Sequence, residues 1–418
     1  MKTCCKPANV DVESLVFISP AVHLCFDGKL KKKEFRELLI STGEITREEL
    51  QEERRQNSCK KTLKAINAVA KLAVERIKAR DLQLKPVHQF RRKDGNSGKV
   101  RDLCKESAEQ QIFEYIAKYA LDELFHAKLL PCQCGSIPHR GQTGGKRQIE
   151  RLLRKKLKGK TNAVKCDIQK AYPSTKVSTV MALLRRDIGK NKTLLWFVEA
   201  VMSNYPNGVL LIGGYLSCWL YNYVMSYVLR HLLSRAKYRR GKRLKMVEGI
   251  VNYADDFLVF GKVSNLERAI KATTRWAKET FGLTVKPGWQ FYSLASFRGE
   301  KAQKQERKNG SRKRTPGVDM MGFVVRRTYT IVRGRTFVRF RRQVIRASRE
   351  LAALGYVPSW RAEKVVSAWG WIKHTNHKKF CEKYNFYDLL RAAKKSVAWK
   401  ARKRNEQSNK RMLCGAAV

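Results

Sequence analysis

Along the chain, short apolar runs bounded by turn residues alternate with longer segments of helical period, which predicts mixed helix and sheet. Residues 1–85 read as mainly helical, with Leu63, Ile66, Val69 and Ala70 at helical spacing among lysines. The turn cluster Asp94-Gly95-Asn96-Ser97-Gly98 lies between two basic arms, residues 89–93 and 99–101, and predicts a β-hairpin presenting cations, either to phosphates or to solvent alone. A helix follows over residues 107–124, with Ile112, Tyr115, Ile116 and Tyr119 on one face. Residues 146–160 hold eight Lys or Arg and one acid around the stripe Ile149, Leu152, Leu153 and Leu157, predicting an amphipathic helix with a cationic face. Ile250-Val251 and Phe257-Leu258-Val259-Phe260 flank Tyr253-Ala254-Asp255-Asp256 and predict a hairpin with acids at its turn. Ala163-Val164-Lys165-Cys166-Asp167 predicts a strand ending in a third acid. Residues 291–317 lose periodicity and read as a basic inserted loop, spanning about 298–316, before strand-like alternation resumes at 323–325 and 328–332. From Phe340 the pattern is helical and basic, with Trp360, Trp369 and Trp371 available to a small bundle.

One stretch bears on the membrane question. Residues 201–229 carry no charge, long enough for a transmembrane helix, yet Asn204, Pro206, Asn207, Gly208 and the pair Gly213-Gly214 interrupt it. A buried turn followed by a core helix is the expectation, with no membrane association. Charge changes the picture more. The chain has 88 Lys plus Arg against 36 Asp plus Glu, a net +52, which predicts a polyanion partner. The cations recur along most of the length and are interleaved with aromatics, favouring nucleic acid over a lipid surface. The 11 cysteines are scattered without a C-x-x-C pair, which fits a reduced cytoplasmic protein better than a disulfide framework or a zinc site. Lys2 and Lys6 are followed by no sustained apolar segment, so no signal peptide is expected.

Adjacent carboxylates on a rigid turn suit a hard divalent cation, and Asp167, 88 residues before Asp255, adds a third oxygen donor of the kind that two-metal phosphoryl transfer uses. Asp-Asp pairs are also common in plain loops, so the order of blocks carries more weight than any one of them. That order is Asp167-Ile168-Gln169-Lys170-Ala171-Tyr172-Pro173, then Ile212-Gly213-Gly214-Tyr215-Leu216-Ser217 with Asn222, then Tyr253-Ala254-Asp255-Asp256, then Gly282-Leu283-Thr284-Val285-Lys286, then Met321-Gly322-Phe323. In this order the blocks resemble those of the reverse transcriptases, over roughly residues 91–378.

The resemblance implies that Asp167, Asp255 and Asp256 hold two Mg²⁺ ions, with the Ile168 carbonyl as a further ligand and Mn²⁺ able to substitute. It places Tyr172 against the sugar of an incoming dNTP as the gate that selects DNA, and Gly213 and Ser217 beside the nascent base pair. RNA-dependent RNA polymerases typically have a polar residue at the gate and Gly before their Asp pair, where this chain has Ala254. Lys286 matches a lysine near the triphosphate, although a surface lysine is the competing reading. Lys99 and Arg101 look like the finger pair on the triphosphate. Arg140 falls in a template-side loop, and Tyr253, Gly322, Arg339, Arg341 and Arg342 are assigned to the nucleic acid, Gly322 within a hairpin that grips the primer.

The departures bear on subtype. Many members, group II intron maturases included, have Gln before the motif's Gly and Pro after its Ser, where this chain has Ile212 and Cys218. Ile there resembles the enzymes of diversity-generating retroelements, which misincorporate opposite template adenines, although the Gln usual after the Ser is missing. The tail Ser367-Ala368-Trp369-Gly370-Trp371 resembles the thumb of phage-borne bacterial enzymes, which leaves an anti-phage defence role open. The expected architecture is an α+β right-hand polymerase. Its parts are a basic helical extension (1–85), fingers (86–160), a palm with an antiparallel sheet (161–334) and a helical basic thumb and tail (335–418). Expected partners are template RNA, a primer with its cDNA, and dNTPs, with an accessory protein or structured non-coding RNA left open. Two other readings keep the same residues: a silent RNA-binding scaffold with a palm fold, and an untemplated or protein-primed DNA polymerase.

Overall fold

The computed structural model describes residues 10–56, 58–93, 98, 100–154, 162–294 and 317–414. It divides into two compact units, residues 1–141 with 164–290, and residues 142–163 with 291–418. The first unit therefore joins the N-terminal helices to elements expected as fingers and palm. Compactness does not itself mark fingers, palm or thumb.

In the first unit, α1 (Leu15–Phe26), α2 (Lys33–Ile40), α3 (Arg47–Gln56) and α4 (Lys60–Lys78) form a helical cluster. Ile18, Val22, Phe26, Phe35, Ile66, Val69 and Ala70 are buried there, each large apolar side chain contributing about 1.5–3 kcal/mol. Leu63, expected on the apolar stripe, is 42 % exposed, because Thr62, Ala65 and Ile66 take the inward face of that turn. The expected basic hairpin is β1 (His88–Lys93) paired with β2 (Val100–Lys105), Arg92 opposite Arg101. Its turn residues 94–97 and Lys99 lie outside the described residues.

The helix expected over 107–124 is two, α5 (Ala108–Ala120) and α6 (Asp122–Lys128). Ser107 caps α5 by accepting from the Gln110 N–H at 3.1 Å, which satisfies a donor the helix leaves open. After β3 (Asn162–Asp167) come α8 (Ala171–Ser174), α9 (Val177–Ile188) and α10 (Lys192–Ser203), then α11 (Tyr215–Ser234). The uncharged stretch folds as expected of a core segment: Pro206–Gly208 form a short 3₁₀ turn, and α11 is buried almost all round through Leu220, Tyr221, Tyr223, Val224, Met225 and Val228. No helix among the described residues is long and apolar enough to cross a membrane. A second hairpin, β4 (Ala236–Arg239) with β5 (Lys242–Lys245), precedes β6 (Gly249–Tyr253) and β7 (Asp256–Gly261), which pair antiparallel. β7 lies between β6 and β3 in the sheet order. α12 (Val263–Phe281) ends at Gly282, whose φ of 71° is the left-handed cap that glycine supplies. β8 (Gln290–Ser293) closes this part of the chain.

The second unit holds α7 (Gly141–Arg154) from Gln142 onward, and the three-stranded order β11-β10-β9, where β9 is Val318–Met320, β10 Phe323–Val325 and β11 Thr330–Val332. Four helices follow: α13 (Gly334–Leu354), α14 (Ser359–Ile372), α15 (Lys378–Lys383) and α16 (Phe386–Cys414). The helical segment thus starts six residues before Phe340. Trp369 packs on Phe386 and Trp371 on Phe323, as a bundle requires, whereas Trp360 is 51 % exposed. The basic loop expected at 298–316 and the end of the cationic helix, residues 155–160, lie outside the described residues. Helices mixed with antiparallel strands make the chain α+β, as its pattern predicts.

Candidate active site

Asp167 is the last residue of β3, whose Val164 and Cys166 are buried and fix the strand in the sheet. The backbone beyond it is held from two sides. The Ile168 N–H donates to the Asp255 carbonyl at 3.1 Å, the Gln169 N–H to the Thr284 carbonyl at 2.8 Å, and the Asp167 carbonyl accepts from the Lys286 N–H at 2.8 Å. Three blocks far apart in sequence thereby meet at one place.

The β6–β7 turn has two residues, Ala254 and Asp255, because Tyr253 pairs with Asp256 in the register. Ala254 takes φ 53°, a left-handed value that costs a non-glycine residue of order 1 kcal/mol. The surroundings hold it there. Buried Asn252 donates through Nδ2 to the Ala254 carbonyl at 2.8 Å and to the Asp256 carbonyl at 3.2 Å. A Cβ on Gly135 would lie 2.5 Å from the Ala254 nitrogen, so that glycine serves the close approach of the turn. Arg140 shapes the same loop: its Nη1 donates to the Leu130 carbonyl at 2.7 Å and the Gln133 carbonyl at 3.1 Å.

Around the acids, charge is only partly balanced. Lys286 Nζ bonds Asp167 Oδ2, and Lys165 Nζ lies 3.5 Å from Asp256 Oδ2. Asp167 Oδ1 is buried with no hydrogen-bond partner. Asp255 has its carboxyl raised above the ordinary range, first by the protein displacing water around it and then by Asp256 and Asp167, even though its side chain still reaches solvent. Among the described residues no three His, Cys, Asp or Glu side chains converge into a ready metal-ligand set; lysines take that charge instead.

Tyr172 is half-buried and stacked on Tyr221, ring centroids 5.0 Å apart. Burial pushes its hydroxyl pKa up, so it stays a neutral ring. Tyr221 is wholly buried and its hydroxyl has no hydrogen-bond partner. Gly213 has φ 110°, and a Cβ there would lie 2.9 Å from the Cys104 carbonyl, while Cys104 N–H donates to the Ile212 carbonyl at 2.9 Å. The turn 212–214 ahead of α11 is thus laced to β2, the strand that carries exposed Arg101. Ser217 departs from its expected place at the nucleotide: it is fully buried, and its Oγ accepts from the Leu211 N–H at 3.0 Å, so it shapes the loop from within.

In the second unit Met321 and Gly322 form a two-residue turn between β9 and β10, with φ of 54° and 83°. A Cβ on Gly322 would meet Trp371 at 2.7 Å, which restricts the position to glycine. Arg339, Arg341 and Arg342 are exposed on α13, Arg341 donating through Nε to the Tyr384 hydroxyl at 2.9 Å.

Two acids escaped the sequence reading. Glu114 on α5 is fully buried, accepting from Tyr205 Oη at 2.7 Å, the Leu216 N–H at 2.9 Å and Gln110 Nε2 at 3.3 Å. Glu106 is 5 % exposed, and burial, then Glu114, pushes its carboxyl up to about 9. A signal existed: Gln110 and Glu114 sit at i, i+4 on a helix otherwise apolar on that side.

The profile described as reverse transcriptase (RNA-dependent DNA polymerase) matches residues 51–288, more than half of the chain. The chain belongs to the reverse transcriptase family. The family is one of RNA-dependent DNA polymerases, and the mixture of helices with antiparallel strands described above is consistent with its right-hand fold. Among solved structures, apo telomerase from Candida tropicalis truncated of its C-terminal domain is similar at 10 % identity, over 59 % of this reverse transcriptase and 54 % of that chain, with a TM-score of 0.37. The reverse transcriptase therefore spans about half the length of that telomerase chain. No curated protein matches it.

Proposed function

We propose that this reverse transcriptase copies an RNA template into DNA at Asp167, Asp255 and Asp256, from a primer and dNTPs. The observation that carries the reading is the backbone meeting of the β3 end, the β6–β7 turn and Lys286, which brings the three acid-bearing positions to one place. Oxygen-only donors, one of them buried without a partner, suit a hard divalent cation. Mg²⁺, with Mn²⁺ able to substitute, would be held by Asp167, Asp255, Asp256 and the Ile168 carbonyl, supplying neutralisation of the triphosphate and acidification of the primer hydroxyl.

The chain's own groups do the rest. Lys286 and Lys165 offset the charge of Asp167 and Asp256 before substrate arrives, and Lys286, once released, would give its Nζ proton to departing pyrophosphate. Tyr172, braced by Tyr221, closes on the sugar and excludes a 2′-hydroxyl by bulk. Gly213 brings backbone to the nascent base pair, Ser217 acts through the shape of that loop, and Arg101 with Lys99 meets the triphosphate from the hairpin. Gly322, Arg339, Arg341, Arg342, Tyr253 and Arg140 serve the primer–template.

Ile212 supports a finer role in a phage or bacterial diversity-generating retroelement. Its apolar side chain flanks Gly213 where many members place a hydrogen-bonding Gln, so one check on the base pair is missing. Sequencing the cDNA made from a primed, adenine-containing RNA with Mg²⁺ and four dNTPs tests both levels. Errors concentrated at adenines are expected. Faithful cDNA discards the diversity role and keeps the polymerase, untemplated product points to the defence reading, and no product from RNA-bound protein points to a scaffold.

A further inference from the structure

The β4–β5 hairpin belongs to no part of the site above. Between Arg235 and Lys245 seven of eleven residues are Lys or Arg, and no acid occurs from Ala200 to Val247. Both faces are open: Tyr238 is 74 % exposed and Leu244 40 %, and Arg239, Arg240, Lys242, Arg243 and Lys245 are exposed. A two-stranded ribbon without a covered face is marginal by itself. This one is anchored at its base, where the Met246 N–H donates to the Arg235 carbonyl at 3.0 Å, and along its edge by Lys237 Nζ on Asn265 Oδ1 at 2.9 Å. Arg243 donates to the Ser234 carbonyl at 3.1 Å, so both recorded cation contacts are with neutral oxygens and leave the charge unbalanced. The two-residue turn puts Arg240 at φ 49°, where Asn or Gly would sit without strain, and so keeps a cation at the tip.

The register sets Tyr238 directly opposite Arg243, with Lys245 on the same face, and Lys237, Arg239, Lys242 and Leu244 on the other. An exposed ring beside guanidinium and ammonium groups is the arrangement that stacks an unpaired base while neutralising its phosphates. The ribbon hangs from the far ends of β6 and β7, since the Glu248 N–H donates to the Phe260 carbonyl at 2.8 Å. The five residues of β6 put it about 17 Å from the acidic turn, beyond the reacting nucleotide.

We propose that the β4–β5 hairpin is a second nucleic-acid site, which holds unpaired RNA outside the stretch being copied through Tyr238 and the cations Arg239, Arg240, Lys242 and Arg243. This rests on RNA being the template, and it is tested by binding alone, so a protein that binds RNA but extends no primer fails the proposed function and leaves the hairpin intact. The full chain carrying Arg239→Gln, Arg240→Gln, Lys242→Gln and Arg243→Gln together is titrated with a primed RNA bearing an unpaired flank, and with the same duplex cut flush, across a salt series. The flanked RNA should bind at least about tenfold more weakly than to wild type, its log–log salt slope falling by about 3, four single-strand contacts at roughly 0.7 each. The flush duplex should change far less. Tyr238→Ala, which keeps every charge, should weaken the flanked RNA by about tenfold. In the wild type, 4-thiouridine in the flank should crosslink to residues 236–245. Equal loss on the flush duplex would overturn the assignment to unpaired RNA. Unchanged slope and affinity, crosslinks only elsewhere, or loss confined to phosphatidylserine vesicles with RNA binding intact, would overturn the site, the last outcome assigning the ribbon to a membrane surface.

Discussion

Asp167, Asp255 and Asp256 stand where β3 meets the β6–β7 turn, partly open to water, Asp167 and Asp256 facing lysines and Asp255 raised by lost hydration and then by the other two acids. Glu114 lies beneath the start of α11, sealed from water and accepting from Tyr205, Leu216 and Gln110, with Glu106 buried as well and its Oε1 without a partner. Both sets crowd like charges into one place, and they solve the problem differently. The sealed pair keeps a proton: ionising both carboxyls would cost several kcal/mol each in desolvation, and burial accordingly raises both Glu106 and Glu114. The open set also leaves one oxygen, Asp167 Oδ1, unsatisfied, a cost that a bound cation rather than a proton would relieve. The difference separates carboxylates that hold a loop from carboxylates held ready for a ligand.

The comparison can be broken at either end. Asp167→Asn should lower dNTP incorporation by more than about 10³-fold, since several kcal/mol of transition-state neutralisation goes with it, while the thermal midpoint holds or rises. Retained synthesis would move the chemistry elsewhere. Glu114→Ala should do the reverse, costing about 3 kcal/mol of folding stability by orphaning the Leu216 N–H and Tyr205 hydroxyl. An unchanged urea midpoint would deny the sealed pair its structural role. Tyr172→Ala should reduce discrimination against ribonucleotides by about 10²-fold, roughly 2.7 kcal/mol, and unchanged selectivity in competition assays would remove the gate.

The smallest effect concerns pH. Glu106 has its pKa raised from an ordinary 4.5 to about 9, so between those values the folded chain keeps a proton that the unfolded chain releases. Stability should therefore fall as pH rises through that window, by up to about 1.4 kcal/mol per unit. Glu106→Gln, neutral at every pH, should flatten the slope of the urea midpoint between pH 6 and 8; an unaltered slope would place the proton on another group.

Legibility in the sequence divides along the same line. Asp167, Asp255 and Asp256 were readable because each ends or turns an apolar strand, and local alternation alone places such acids at one edge of a sheet. Tyr172 and Gly213 were assigned from the order of their blocks, and the structure adds the Tyr221 ring beneath the one and the Cys104 carbonyl against the other. Glu106 and Glu114 were not, since their burial comes from α5, α11 and the turn 212–214 meeting in three dimensions. Ser217 was placed at the nucleotide because its spacing fits a motif, but its hydroxyl caps the loop internally. The need for glycine at 135 was not legible either, because only tertiary contact brings Ala254 against it. The β4–β5 ribbon passed unnoticed because alternating cations lack the apolar signal by which strands are recognised.

The central claim is tested most directly by extending a DNA primer on an RNA template with the wild type, Asp255→Asn and Glu106→Gln side by side in Mg²⁺. The account predicts full extension by the wild type, extension within a few-fold by Glu106→Gln, and none by Asp255→Asn, with RNA bound by all three. Extension by Asp255→Asn, or none by an RNA-bound wild type, would contradict it.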